Sequence, residues 1–197
     1  MIRLGLALVL LALPAHAGGE PDPDWPCIQR RQPQLSIAQV WNGPIPDQAT
    51  IDRAKEPEIA HLAQTIALRR TSLEDAEKMV ADFAATADNQ ALVALFQGAF
   101  DHIQSTRNRV MAGITRYAHK QEELDQHIEA KRHEFTKLNA AEKQDFDTID
   151  KVEEDIDWST RIFQERQQSL TYVCETPVIL EQRVFSIGRI IEKNLKN

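Results

Sequence analysis

The chain has 197 residues, with 30 Asp and Glu against 23 Lys and Arg, and a formal net charge of −7. That balance argues against sequence-independent nucleic-acid binding, which needs Lys and Arg to neutralise phosphates. It also disfavours broad adhesion to anionic lipid.

Met1, Ile2 and Arg3 make a short cationic start, followed by an apolar run from Leu4 to Leu13 and then Pro14-Ala15-His16-Ala17. This order is that of a secretory signal peptide, residues 1–17, with an A-x-A cleavage site after Ala17. The apolar run is about half of the roughly 20 residues a bilayer-spanning helix needs. Cleavage would remove one base, Arg3, and no acid, leaving the mature chain more acidic still. Lipid attachment would need a Cys directly after the apolar run, whereas Cys27 lies behind Pro21, Pro23, Trp25 and Pro26.

Six of the nine prolines, Pro21, Pro23, Pro26, Pro33, Pro44 and Pro46, fall in residues 18–47. No single helix can run through that spacing. Trp25, Ile28, Leu35, Ile37, Val40 and Trp41 make it too apolar for a disordered tail. It reads as an arm wrapped over a helical body, with one short helix near Gln34 to Trp41.

After Asp47 the periodicity becomes helical and stays so, giving an all-α chain. A helical head is expected over 48–104. Pro57 suits a first helical turn, and Ile59, Leu62, Ala63, Ile66 and Ala67 share one face of a helix from Pro57 to Arg70. Ser72 and Asp75 resemble a capping box for a second helix, carrying Leu73, Ala76, Met79, Val80 and Phe83 and ending near Thr86. Asp88 caps a third, which meets no strong breaker until about Asn139, although Gly98 and Gly113 weaken or bend it.

A heptad stripe runs through the later part of this helix: Ile103, Arg107, Val110, Ile114, Tyr117, Gln121, Leu124, Ile128, Lys131, Phe135 and Leu138. A matching one follows Asn139-Ala140-Ala141: Ile149, Val152, Ile156, Ser159, Phe163, Arg166, Leu170 and Val173. Two such stripes joined by a short turn imply a long antiparallel coiled-coil hairpin over 105–174. Folding about Ala140 would set Leu124 against Ile156, Tyr117 against Phe163 and the polar Gln121 against Ser159. Pro177 is expected to interrupt the chain. Residues 175–197 then return to the head as an amphipathic helix, with Leu180, Val184, Ile187, Ile191 and Leu195 on one face.

Cys27 and Cys174 are the two cysteines of the chain. In the oxidising compartment that export supplies, one structural disulfide is the expected state. It would fasten the arm to the hairpin base. Neither Cys sits in a C-x-x-C or haem motif.

Several constellations bear on chemistry. Glu58 and His61 form a single Glu-x-x-His where a di-iron bundle needs two. Glu123 with His127, and Glu129 with His133, are spaced to meet as ion pairs on the helix surface. Residues 142–157 hold eight acids against Lys143 and Lys151, without the glycine spacing of an EF-hand loop. Solvated helix surface is the plain reading. Asp150, Glu153, Glu154 and Asp157, with Trp158 beside the seam, are the candidate interaction residues, although packing on the arm or the opposite helix is the expected place for Trp158. The last helix carries Arg183, Arg189, Lys193 and Lys196 against Glu181 and Glu192. It could lie on a membrane surface, but closing the head is the simpler use of its apolar face. No G-x-S-x-G elbow, phosphate loop or free Cys/His pair occurs, and seven glycines leave little material for substrate loops. No enzyme activity, cofactor or resident metal is expected.

The stretch Asp24-Trp25-Pro26-Cys27-Ile28-Gln29-Arg30, continuing through Pro33, Leu35, Val40, Trp41, Gly43 and Pro44, resembles the opening of an uncharacterised family of exported proteobacterial proteins. The resemblance covers about 20 residues, brings no activity with it and implies a Gram-negative periplasm. The expectation is a periplasmic structural or interaction protein that presents its hairpin to a protein partner or a second copy of itself. A metal-handling or enzyme-accessory protein using His119, His127, His133 and the acidic arm is the alternative.

Overall fold

The computed structural model describes residues 22–196. The expected signal peptide and its cleavage site after Ala17 lie outside the described residues. Six helices follow in order: α1 (Ile37–Val40), α2 (Gln48–Arg53), α3 (Pro57–Ala67), α4 (Leu73–Ala84), α5 (Asn89–Asn139) and α6 (Phe146–Glu192). Among the described residues there is no strand, and no helix is long and apolar enough to cross a membrane.

Each of the longer helices after α3 starts where a side chain satisfies its first free N–H groups. Ser72 Oγ accepts from Asp75 N at 3.0 Å, and Asp88 Oδ1 accepts from Ala91 N at 2.7 Å. Asp145 accepts from the Thr148 hydroxyl and backbone, and Asp47 does the same with Thr50 ahead of α2. Asp88 also accepts from Arg53 at 2.7 Å, which ties α2 to the start of α5. The six-residue α2 was not foreseen as a separate helix, being too short to show a period of its own.

These caps have a pH consequence. The Asp47 and Asp145 carboxyls are held below the ordinary aspartate range first by the hydroxyls of Thr50 and Thr148 and then by backbone N–H groups. Asp88 is held low by the Ala91 N–H and then by Arg53. A carboxyl whose pKa falls on folding contributes its stability above the unfolded value and loses it as pH drops through the folded one. We expect an acid limb in the unfolding midpoint between about pH 4 and pH 2. Because Asn caps as well as Asp, a chain with Asn at all three positions should hold its neutral-pH midpoint and show a flatter acid limb in urea titrations.

Helix α3 ends at Ala67, short of the expected Arg70, because Leu68 turns to extended backbone. The Arg183 guanidinium of α6 takes up the carbonyls left behind, donating to Ile66 O at 2.6 Å, Ala67 O at 3.1 Å and Thr71 O at 2.8 Å. The head closes over this junction. Leu92, Leu95, Phe96 and Ile103 of α5, Ile66 of α3, Val80 of α4, and Val184, Ile187 and Ile191 of α6 are all sealed from solvent. Ala91 through Phe100 are buried on every side of α5, a run apolar all round but for Gln97, whose Nε2 donates to Asp101 at 2.9 Å. Helix α5 runs through Gly98 without a break, and the glycine lets α3 approach, since a Cβ there would stand 2.9 Å from the Ala63 methyl.

Beyond the head α5 and α6 continue together. The 51 residues of α5 span about 77 Å at 1.5 Å per residue. From 119 to 140 every residue of α5 is exposed except Gln121, Leu124, Ile128, Lys131, Phe135 and Leu138, the positions the heptad named. On α6 the stripe holds from Ile149 to Phe163 and again at Leu170, with Arg166 exposed; beyond Leu170 it moves by one residue, Val173 being exposed while Cys174 and Pro177 are covered.

Two expectations are corrected. The polar layer does not pair with itself: Gln121 Nε2 donates to the Phe163 carbonyl at 3.2 Å, one turn beyond Ser159. Ser159 instead donates to Asp155 at 3.3 Å. The reason is the turn, which occupies 140–145 and so sets the fold point after Ala140 rather than on it. Nor does Pro177 interrupt the chain, for α6 runs through it. An internal proline removes one backbone hydrogen bond, a cost of about 3 kcal/mol. Here the chain is pinned on both sides, by the Cys27–Cys174 disulfide and by Leu180 and Val184 in the head core.

Candidate interaction surface on the hairpin

At 100° per residue, positions 150, 153, 154, 157 and 158 fall within an arc of about 140°, roughly opposite the seam formed by Ile149, Val152, Ile156 and Ser159. Asp150, Glu153, Glu154 and Asp157 are accordingly exposed. Among the described residues none of the four has an ion-pair partner. Trp158 ends the stripe, 59 % exposed, with the Arg161 guanidinium 5.7 Å from its ring. The arm and α5 both leave this side of α6 uncovered, so the expected packing of Trp158 against one of them does not occur. Trp158 is one residue off the seam, and one residue is enough to turn it outward.

The neighbouring acid Asp155 faces the other way. It receives His127 Nε2 at 3.3 Å and Lys131 Nζ at 3.6 Å. Its carboxyl is held below the usual range first by the His127 hydrogen bond, against a smaller opposing effect of burial, with help from Ser159 and Lys131. Within the acidic segment, Asp145 caps α6, Asp155 turns inward and ties α6 to α5, and Asp150, Glu153, Glu154 and Asp157 form the outward stripe.

The histidines do not converge. His119 Nε2 lies 2.6 Å from Asp24 of the arm, and His127 takes Asp155 rather than Glu123. Glu129 pairs with Arg132 at 2.6 Å instead of His133. Glu58 and His61 are both exposed on α3. Among the described residues, no group of three His, Cys, Asp or Glu side chains is placed to hold a metal ion.

The arm reaches the hairpin through contacts the sequence reading did not specify. The Trp25 side chain is buried with Met111 and Ile114, and its Nε1 donates to Gln29 O at 2.6 Å. Thr115 Oγ1 donates to Asp24 O at 3.1 Å. Cys27 and Cys174, with Cα atoms 5.5 Å apart, close the disulfide beside them. The apolar face of the last turns of α6 is spent in the head core. Of its bases, Arg183 serves α3, Lys193 pairs with Glu77 at 3.3 Å and Lys196 donates to Ala87 O at 2.8 Å.

No family model matches the chain, and neither a curated protein nor a solved structure matches it.

Proposed function

We propose that the protein is an exported, periplasmic structural or interaction protein, without catalytic activity, that offers the outer face of its hairpin to a protein partner or to a second copy of itself. The observation that carries this reading is the exposed stripe from Asp150 to Trp158, with four acids that have no ion-pair partner among the described residues and one large aromatic, facing away from a seam that is already filled. A disulfide fits an oxidising compartment, and residues 1–17 read as the signal that delivers the chain there. Unpaired acids suit a basic partner surface, and an exposed Trp suits the centre of an interface.

A photo-crosslinking residue at position 154 or 161, in the exported chain, should capture one reproducible adduct, either heterologous or a dimer. With that adduct purified, Trp158→Ala should weaken binding at least about tenfold, or about 1.4 kcal/mol. Replacing Asp150 and Glu154 with Lys should slow association more than it speeds dissociation. A free monomer that yields no adduct from either position would sink the reading.

A further inference from the structure

In the head, a groove of about 340 Å³ lies where the end of α3 meets α6 and the α5 turns from His102 to Arg109. That volume is at the small end of the range for organic ligand sites. The floor is aliphatic, made by Ala67, Leu68, Ile103 and Leu180, and no aromatic ring lines it. Its ionisable residues are Arg69, His102 and Arg109, with no Asp or Glu among the lining. All three are exposed, and none has an ion-pair partner among the described residues. In a chain whose Asp and Glu outnumber Lys and Arg by 30 to 23, a groove lined by bases alone is a local inversion of charge. Arg109 donates to the Ser105 and Thr106 hydroxyls at 3.0 Å each. Those bonds hold its guanidinium on the Thr106 rim and leave the charge unmatched, because hydroxyls are neutral. Beside the floor, Arg183 Nε donates to the Ala67 carbonyl at 3.1 Å and adds a further cation. Burial lowers the Arg183 pKa, and no carboxylate opposes that shift. His102 also borders the neighbouring groove with Lys55 and Asp101, so the two guanidinia of Arg69 and Arg109 carry the argument.

We infer that this groove binds a small aliphatic carboxylate, its chain on Leu68, Ile103 and Leu180 and its head group taken by Arg69 and Arg109. The chain gains affinity by leaving water for an apolar floor. The guanidinium fork matches the two oxygens of a carboxylate, and a flexible aliphatic body suits a lining that offers no ring to stack on. An alcohol of the same shape keeps the floor and loses the charge. An ammonium of the same shape meets only cations and is repelled. This inference is independent of the partner on the outer face: the groove lies in the head, whereas the stripe from Asp150 to Trp158 lies on the hairpin.

The test is titration of the oxidised protein with hexanoate, hexanol and hexylammonium, which share one shape and differ in charge, followed by the backbone amide NMR signals. Hexanoate should give saturable shifts centred on Leu68, Ile103 and Thr106. It should bind at least about tenfold more tightly than hexylammonium, with hexanol between them. Arg69→Gln and Arg109→Gln, both at exposed positions, should keep the denaturant midpoint, each cost hexanoate about threefold or more and leave hexanol unchanged. Hexylammonium binding as tightly as hexanoate would overturn the inference. So would hexanoate shifts that fail to saturate by about 10 mM, or that centre away from Leu68 and Ile103. Equal loss of hexanoate and hexanol in the two variants would overturn the role given to the guanidinia.

Discussion

Replacing both Cys27 and Cys174 with Ser, or reducing the native protein, should lower its unfolding free energy by about 5 kcal/mol, the chain-entropy value for a loop of this size. The two residues are 147 positions apart, so the bond restrains nearly the whole described chain in the unfolded state. Small domains have net stabilities of about 5–15 kcal/mol. A loss of this size would take a large share of the total and leave a chain retained in a reducing compartment partly unfolded and open to proteolysis. Native-state contacts add to the effect, because Trp25 with Met111 and Ile114 forms a cluster separate from the head core, too small to hold the arm alone. Denaturant unfolding followed by the helical signal of circular dichroism, oxidised wild type against the double Ser variant, measures the difference. A change below about 1 kcal/mol would mean that the unfolded chain is already compact between Cys27 and Cys174, or that the arm is held mainly elsewhere.

Much of the architecture was legible because it is written in local chemistry. Asp88 and Ser72 announce helix starts by supplying an acceptor three residues ahead of a free N–H. The seam from Gln121 to Leu138 is visible because a two-helix contact buries one stripe and nothing else. What escaped the reading depends on packing at long range. Pro177 looks like a breaker by propensity, yet a disulfide and a filled core hold the helix through it. Arg183 looks like part of a basic surface, but its guanidinium completes the end of a helix more than a hundred positions earlier. The hairpin register missed by one turn because a heptad fixes which face is buried and leaves the height of the partner to the loop. The outward stripe from Asp150 to Asp157 was legible as a charge run, whereas the exposure of Trp158 was not: a residue beside a seam lies near the boundary between buried and free.

Trp41→Ala should destabilise the protein by about 3–5 kcal/mol, the range for truncating a fully packed large aromatic. Trp41 is 4 % exposed and stacks on Phe96 at 4.1 Å between centroids and 12° between planes. Its Nε1 donates to Pro44 O at 2.8 Å, closing the arm on itself. The chain makes room for the ring with glycines: a Cβ at Gly43 would stand 2.3 Å from the indole, and one at Gly188 would stand 2.8 Å from the Val40 carbonyl. Gly188→Ala should therefore destabilise by pushing the same segment off α6, since its methyl would crowd the Val40 carbonyl while reaching only ordinary contact, 3.6 Å, with the indole. Trp41→Phe keeps most of the stack and loses the N–H donor, so it should cost less, about 1–2 kcal/mol. A double-mutant cycle with Phe96→Leu should return a coupling of about 0.5–1.5 kcal/mol for the stacked pair. Denaturant midpoints supply all four values. A Trp41→Ala cost below about 1 kcal/mol would show that the second half of the arm lies on the head without being part of its core. Trp41 belongs to the head cluster and Trp25 with Cys27 to the one at the hairpin base, and among the described residues the two clusters share only the partly buried Val110, so their losses should nearly add. Together they approach the whole stability of a domain this size, and the chain lacking both should not fold.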